Sequence, residues 1–175
     1  ISIGLVGSEM CIRDSPDGSS VAMAYDPVTT HTVLFGGDAN GDLDQTFIWD
    51  GLAWVEQTPN QRPPVRHIHG MCLDRSDNKA IVFGGWNGGQ FGRGDTWAWD
   101  GSDWSQLQPL VSPPPRHWIR GCFVYDEARG EAVLFGGNGG GALGDTWVYK
   151  SGGWRPKLDY ITSPVNGNRY ALTPP

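Results

Sequence analysis

The chain has 175 residues, a formal net charge of −6, 26 glycines, 13 prolines and nine tryptophans. This much Gly and Pro excludes a mainly helical protein, because each residue costs about 1 and about 3 kcal/mol respectively inside a helix. The aromatic content argues against disorder. No apolar run approaches the ~20 residues of a membrane-spanning helix, and the acidic balance argues against nucleic acid, which needs a clustered basic patch.

In chain order, residues 1–15 come first and stand apart. The string Val6-Gly7-Ser8-Glu9-Met10-Cys11-Ile12-Arg13-Asp14-Ser15 resembles a translated sequencing adapter of the kind found at the ends of metagenomic reading frames. Residues 1–15 are therefore expected to be a non-native or disordered leader. A signal peptide is the rival reading, but the basic start is missing and the apolar opening is too short. Glu9 and Met10 stand where small residues would precede a lipidated Cys11.

From residue 16 the sequence repeats, which settles its organisation before any local detail. Trp54, Trp104 and Trp154 recur at a spacing of 50, as do Thr46, Thr96 and Thr146. Upstream of each threonine an apolar run ends in a glycine pair: Val33-Leu34-Phe35-Gly36-Gly37, Ile81-Val82-Phe83-Gly84-Gly85 and Val133-Leu134-Phe135-Gly136-Gly137. Ten residues before each first glycine, an aspartate (Asp26, Asp74, Asp126) closes another apolar stretch. Each repeat thus predicts four short strands. A ends at the aspartate, B at the glycine pair, C carries the Thr-aromatic-x-aromatic alternation, and D opens on the lone tryptophan. Short strands bounded by Gly, Pro, Asn and Asp are the β signature. Four strands in some 40–50 residues is the size of a propeller blade.

Local chemistry agrees. The three aspartates can bond their own backbone across the A–B turns. Asn78 and Gly130 occupy the matching site where positive φ is needed, and Thr30 fits it less well. The glycine pairs suit places where the backbone bends or approaches another chain closely. The aromatics of strands C and D can fill wedges between blades. Pro59 to Pro64 and Pro109 to Pro115 read as blade-to-blade connectors. The repeats run about 16–60, 61–111 and 112–158, and 159–175 reads as the first strand of a fourth.

These motifs together resemble kelch repeats over about residues 16–172: the apolar run into Gly-Gly, the Asp-Thr-Trp strand, the later tryptophan, and the Pro-rich linker followed by arginine. The resemblance implies an all-β fold, an incomplete kelch-type β-propeller of three four-stranded blades plus the first strand of a fourth. The family includes the galactose oxidase central domain and many interaction modules, and its rings have six or seven blades. The chain is therefore expected to be part of a longer protein whose remaining blades complete the ring. Bare blade faces are expected at the two ends, lined by residues such as Met23, Tyr25 and Trp154.

The resemblance also implies that strand A lies nearest the propeller axis, so the segments leading into it line one mouth of the channel. These are Arg66-His67-Ile68-His69, Arg116-His117-Trp118-Ile119-Arg120 and Arg169-Tyr170. The candidate ligand-binding residues are Arg66, His67, His69, Arg116, His117, Trp118, Arg120 and Arg169. A cationic rim on an acidic protein would suit carboxylate or phosphate groups. The competing reading makes Arg66 and Arg116 structural, paired with aspartates or backbone carbonyls of the next blade.

Other chemistry is thinner. Asp38-Ala39-Asn40-Gly41-Asp42-Leu43-Asp44 starts like a calcium loop but has Leu43 at the glycine position and no closing glutamate. Cys72 and Cys122 are expected to be free thiols. No copper-radical site, hydrolase elbow or paired metal-binding cysteines can be placed, so neither metal nor cofactor is expected. The function expected is a non-catalytic binding module for a protein or carbohydrate. The alternative is a fragment of a propeller enzyme, a galactose-oxidase-like oxidase or a glycan-acting enzyme, with part of its site in other blades. The lysine-poor, Trp- and Gly-rich repeats suit an exported bacterial protein.

Overall fold

The computed structural model describes residues 16, 18–89, 92–157, 160–162 and 169–171, the last two spans in backbone only. The leader expected at residues 1–15 lies outside the described residues. Among the described residues every regular element is a strand. The first sheet holds β1 (Ala22–Asp26), β2 (His31–Phe35), β3 (Thr46–Trp49) and β4 (Trp54–Gln57). The second holds β5 (Gly70–Asp74), β6 (Lys79–Phe83), β7 (Thr96–Trp99) and β8 (Trp104–Leu107), and the third β9 (Phe123–Asp126), β10 (Glu131–Phe135), β11 (Thr146–Lys150) and β12 (Gly153–Pro156). Each is an antiparallel meander in sequence order. A fourth, partial set is the antiparallel pair β13 (Tyr160–Thr162) and β14 (Arg169–Ala171), two strands where the sequence led us to expect one. The arrangement is that of an incomplete propeller, with β1, β5 and β9 of successive sheets running side by side.

The A–B turns form as their residues dictate. Asp26 accepts from the Val28 N–H at 2.8 Å, and Asp74 from the Ser76 N–H at 2.9 Å. Thr30, Asn78 and Gly130 all take positive φ, at 60°, 51° and 62°. The less suited threonine is therefore held there by its surroundings.

The core lies in the two seams between sheets. The first packs Ala24, Val33 and Phe35 of sheet one against Met71, Leu73, Val82, Trp97, Trp99 and Trp104 of sheet two. The second packs Cys72, Ile81, Phe83 and Ala98 against Phe123, Leu134, Trp147, Tyr149 and Trp154. Strand alternation makes this possible, since each sheet presents one residue set forward and the other backward. Trp154 is therefore not on a bare face, as its sequence position suggested. It reaches back into the second seam and is only 6% exposed.

The same hydrogen bond recurs in both seams. The Trp104 indole N–H donates to Thr46 Oγ1, and the Trp154 indole N–H to Thr96 Oγ1, each at 2.9 Å. The glycine pairs let the next linker in. A Cβ on Gly36 would lie 2.6 Å from the Arg66 carbonyl oxygen, and one on Gly84 2.5 Å from that of Arg116.

Candidate functional site

The segments leading into β1, β5 and β9 share one backbone geometry. Ser19, His67 and His117 each form an isolated bridge, to Asp38, Trp86 and Asn138 respectively. The residue after each, Ser20, Ile68 and Trp118, has φ of 61°, 50° and 58°. That region is costly for isoleucine and tryptophan, by about 1–3 kcal/mol, and such strain concentrates where the surroundings impose it, often at sites of function. The segments are stitched side by side, the Ile68 N–H donating to the Ser20 carbonyl at 3.1 Å and the Ile119 N–H to the Ile68 carbonyl at 3.3 Å.

Where they meet, a cavity of about 280 Å³ opens, lined by Ser20, Asp38, His67, Ile68, Trp86, His117, Trp118 and Arg120. Trp118 is 61% exposed and offers its ring to solvent. Trp86 lies between the two histidines, its ring centroid 5.4 Å from that of His67 and 6.1 Å from that of His117. Its indole N–H is tied to the Gly89 carbonyl, so the ring is fixed. His67 Nδ1 lies 2.5 Å from Asp42 Oδ1, which orients the imidazole. Desolvation, aided by the charge of His67, lowers the His117 pKa from its ordinary value, and its Nδ1 is buried without a partner among the described residues. Arg120 belongs to a two-residue insertion, Arg120-Gly121, relative to the preceding repeat. The turn it forms, with Cys122 N–H on the Ile119 carbonyl at 3.1 Å, exposes Arg120 and brings it 3.4 Å from Ser20 Oγ.

Three candidate residues are not part of this site. Arg66 and Arg116 are fully buried. Arg66 donates to both carboxylate oxygens of Asp95 at 2.9 and 2.7 Å, to the Gly84 carbonyl at 3.1 Å and to the Pro64 carbonyl at 3.0 Å. Arg116 repeats this on Asp145, Gly136 and Pro114. Each aspartate lies in the arginine's own repeat, not in the next blade. These fully buried guanidiniums, each with four of its five N–H groups bonded within the chain, are not open to a ligand, so among the described residues the expected cationic rim is corrected to one exposed arginine, Arg120. Desolvation pushes the Asp95 carboxyl up, but the Arg66 bonds more than offset it, and at Asp145 the Arg116 bonds dominate; both carboxyls lie below their ordinary value. His69 is fully buried beside Phe35, ring centroids 5.6 Å apart, and its ring nitrogens have no partner among the described residues. Desolvation, then the nearby Arg66 charge, lowers its pKa to about 3, so it is a neutral core residue. The side chain of Arg169 lies outside the described residues.

The structure thus brings together His67, His117, Trp118 and Arg120, and adds Ser20, Asp38, Ile68 and Trp86. The missed residues sit at fixed offsets from the glycine pairs and linkers, and aligning all three repeats on them would have found each one. The acidic loop does not converge on a point: Asp38 caps Gly41, Asp42 holds His67, and Asp44 faces Arg62. Cys72 and Cys122 are free thiols beside the second seam, with burial pushing the Cys72 thiol up. No family model matches the chain, and no curated protein matches it.

Proposed function

We propose that the chain is a non-catalytic binding module of kelch-repeat type that holds a carbohydrate in the cavity among His67, Trp86, His117 and Trp118. One observation carries this reading: two indoles and two imidazoles line one open cavity of about 280 Å³ whose remaining lining is polar or aliphatic. The C–H face of a pyranose bears partial positive charge and fits the negative face of an indole. Its hydroxyls both donate and accept, which suits Asp38, Ser20, the imidazoles and Arg120. An anion is disfavoured because Asp38 lines the same wall and the buried arginines are already neutralised. Aromatic walls with a few fixed polar groups are the usual make-up of a small-molecule site.

The test is titration calorimetry with neutral oligosaccharides against the chain and Trp118→Ala. Saturable binding that weakens at least tenfold in the variant, with an unchanged melting temperature, supports the reading. Equal binding by both sinks it. A second reading, part of a propeller enzyme, draws on the His67–Asp42 pair, since a carboxylate on Nδ1 is how general-base histidines are oriented. Hydrolysis or oxidation of a bound glycan, lost in Asp42→Asn, would favour that reading instead.

A further inference from the structure

The two seams differ at the end of the sheets that carries the A–B and C–D turns, away from the Trp118 cavity. There the second seam is bonded shut. The Ser151 N–H, in the turn after β11, donates to Asp74 Oδ2 at 3.2 Å, and the Ser151 and Ser76 hydroxyls lie 3.3 Å apart. One repeat earlier, Gly101 and Asp26 hold the places of Ser151 and Asp74. Asp26 Oδ2 accepts instead from the Thr29 hydroxyl at 2.9 Å and the Asn78 amide at 3.2 Å, and a Cβ on Gly101 would meet nothing within 4 Å. The first seam therefore stays open, and between sheets one and two lies a cavity of about 340 Å³.

Its floor is apolar because of strand register. Val33, Ile48 and Val55 stand side by side across β2, β3 and β4, and Leu73, Ala80 and Trp99 across β5, β6 and β7. Both rows line the cavity. Its mouth is acidic. Asp50 and Asp100, both exposed, each cap their own turn through Oδ1, on the Leu52 and Ala53 N–H groups and on those of Ser102 and Asp103, at 2.8–2.9 Å. Their Oδ2 atoms have no partner among the described residues. The backbone bonds hold both carboxyls below their ordinary value, and at Asp26 desolvation is outweighed by the hydrogen bonds of its turn. Three charged carboxylates thus line a cavity to which no lysine or arginine contributes. The wall also holds an orphaned donor. Trp99 is 2% exposed, and its indole N–H is buried without an acceptor among the described residues, whereas the indoles of Trp97, Trp104, Trp147 and Trp154 are all bonded.

We propose that this cavity is a second binding site, for a small organic cation: a protonated primary amine at the mouth, a short apolar frame, and a neutral oxygen acceptor at the far end. The ammonium donates to the Oδ2 atoms of Asp50 and Asp100. The frame lies on Val33, Leu73 and Trp99, and the acceptor meets the Trp99 indole N–H. Each part of the ligand answers one feature of the wall. An anion would face three carboxylates, a neutral molecule would leave the mouth uncompensated, and a purely apolar tail would leave the buried donor unpaired. The volume suits a single-ring molecule. The site owes nothing to the carbohydrate reading, since the two cavities share no residue.

Proton–nitrogen correlation spectra of the full chain provide the test, because each indole N–H gives its own signal and the one lost in Trp99→Phe is that of Trp99. The probe is aminocyclohexanol. Cyclohexanediol is the neutral control, and cyclohexylamine the control without an acceptor. The probe should move the Trp99 signal saturably downfield at millimolar concentration, and both controls should bind more weakly. Asp50→Asn and Asp100→Asn keep the oxygen that caps each turn, so both should keep the parent's melting temperature. Each should weaken the probe about threefold, and the double variant about tenfold. An unmoved Trp99 signal, equal binding of either control, or undiminished binding in the double variant overturns the proposal.

Discussion

His69 stands where Ile119 stands one repeat later, and both are fully buried between sheets. A neutral imidazole there is a liability in acid. Its folded pKa is lowered to about 3, while in the unfolded chain it titrates near 6.5, so below that pH the unfolded state binds the extra proton. The contribution of His69 to stability is therefore complete above pH 6.5 and drains as the pH falls toward 3, by up to about 1.4 kcal/mol per pH unit. Urea unfolding at pH 7 and pH 5 should differ by about 2 kcal/mol in the parent, and the difference should shrink markedly in His69→Ile. An unchanged difference would remove His69 as the cause. His117 is also lowered but is partly exposed, and Asp95 and Asp145, whose pKa values are lowered, act only below about pH 4. The buried arginines behave differently. Removing one partner of a buried ion pair costs about 3–5 kcal/mol, because the other is left uncompensated. Arg66→Ala should thus destabilise strongly, and more than Arg116→Ala, since Asp95 is 17% exposed and Asp145 39%. Equilibrium denaturation would show it, and a loss under 1 kcal/mol at either position would contradict the pairing.

At the scale of strands and seams, much was legible in the sequence because repetition multiplies weak signals. One glycine pair means little. Three in phase with Thr46, Thr96 and Thr146 placed strands β2, β3 and their counterparts, and the lone tryptophans marked the starts of β4 and β8 (β12 opens one residue earlier, at Gly153). What the sequence concealed was direction. Arg66 follows a proline linker and reads equally well as a rim residue or an internal clamp. The choice rests on Asp95, 29 residues away, and on carbonyls that only the folded backbone presents. The repeated separation of 29, Arg66 to Asp95 and Arg116 to Asp145, was the available clue. The bareness expected of Trp154 failed for a similar reason: strand D of one sheet covers strand C of the one before, so the member of the set outside both seams is the half-buried Trp54. The seams themselves can be tested. Trp104→Phe and Trp154→Phe leave Thr46 or Thr96 buried with an unsatisfied hydroxyl and should each cost about 1–3 kcal/mol in a urea melt. Trp54→Phe, whose ring lies in neither seam, should stay within about 0.5 kcal/mol. Equal costs at all three positions would contradict the seam geometry.

At the scale of the whole molecule, sheets that touch only their neighbours behave as a short one-dimensional array, with stability the sum of units and seams. The units are not equal, however. Sheets two and three each carry an arginine clamp that ties the incoming linker to the turn before strand C. Sheet one has Gly18 and Gln45 in place of both partners, and Met23 and Tyr25 on its outer face are 53% and 55% exposed. Native-state amide exchange should therefore be graded along the chain. The amides of β2 and β3 should open first, those of β10 and β11 next, and those of β6 and β7 last, only on global unfolding. The absent clamp makes the first sheet the one of the three that begins to come apart, and so the one that a protease would cut before the other two.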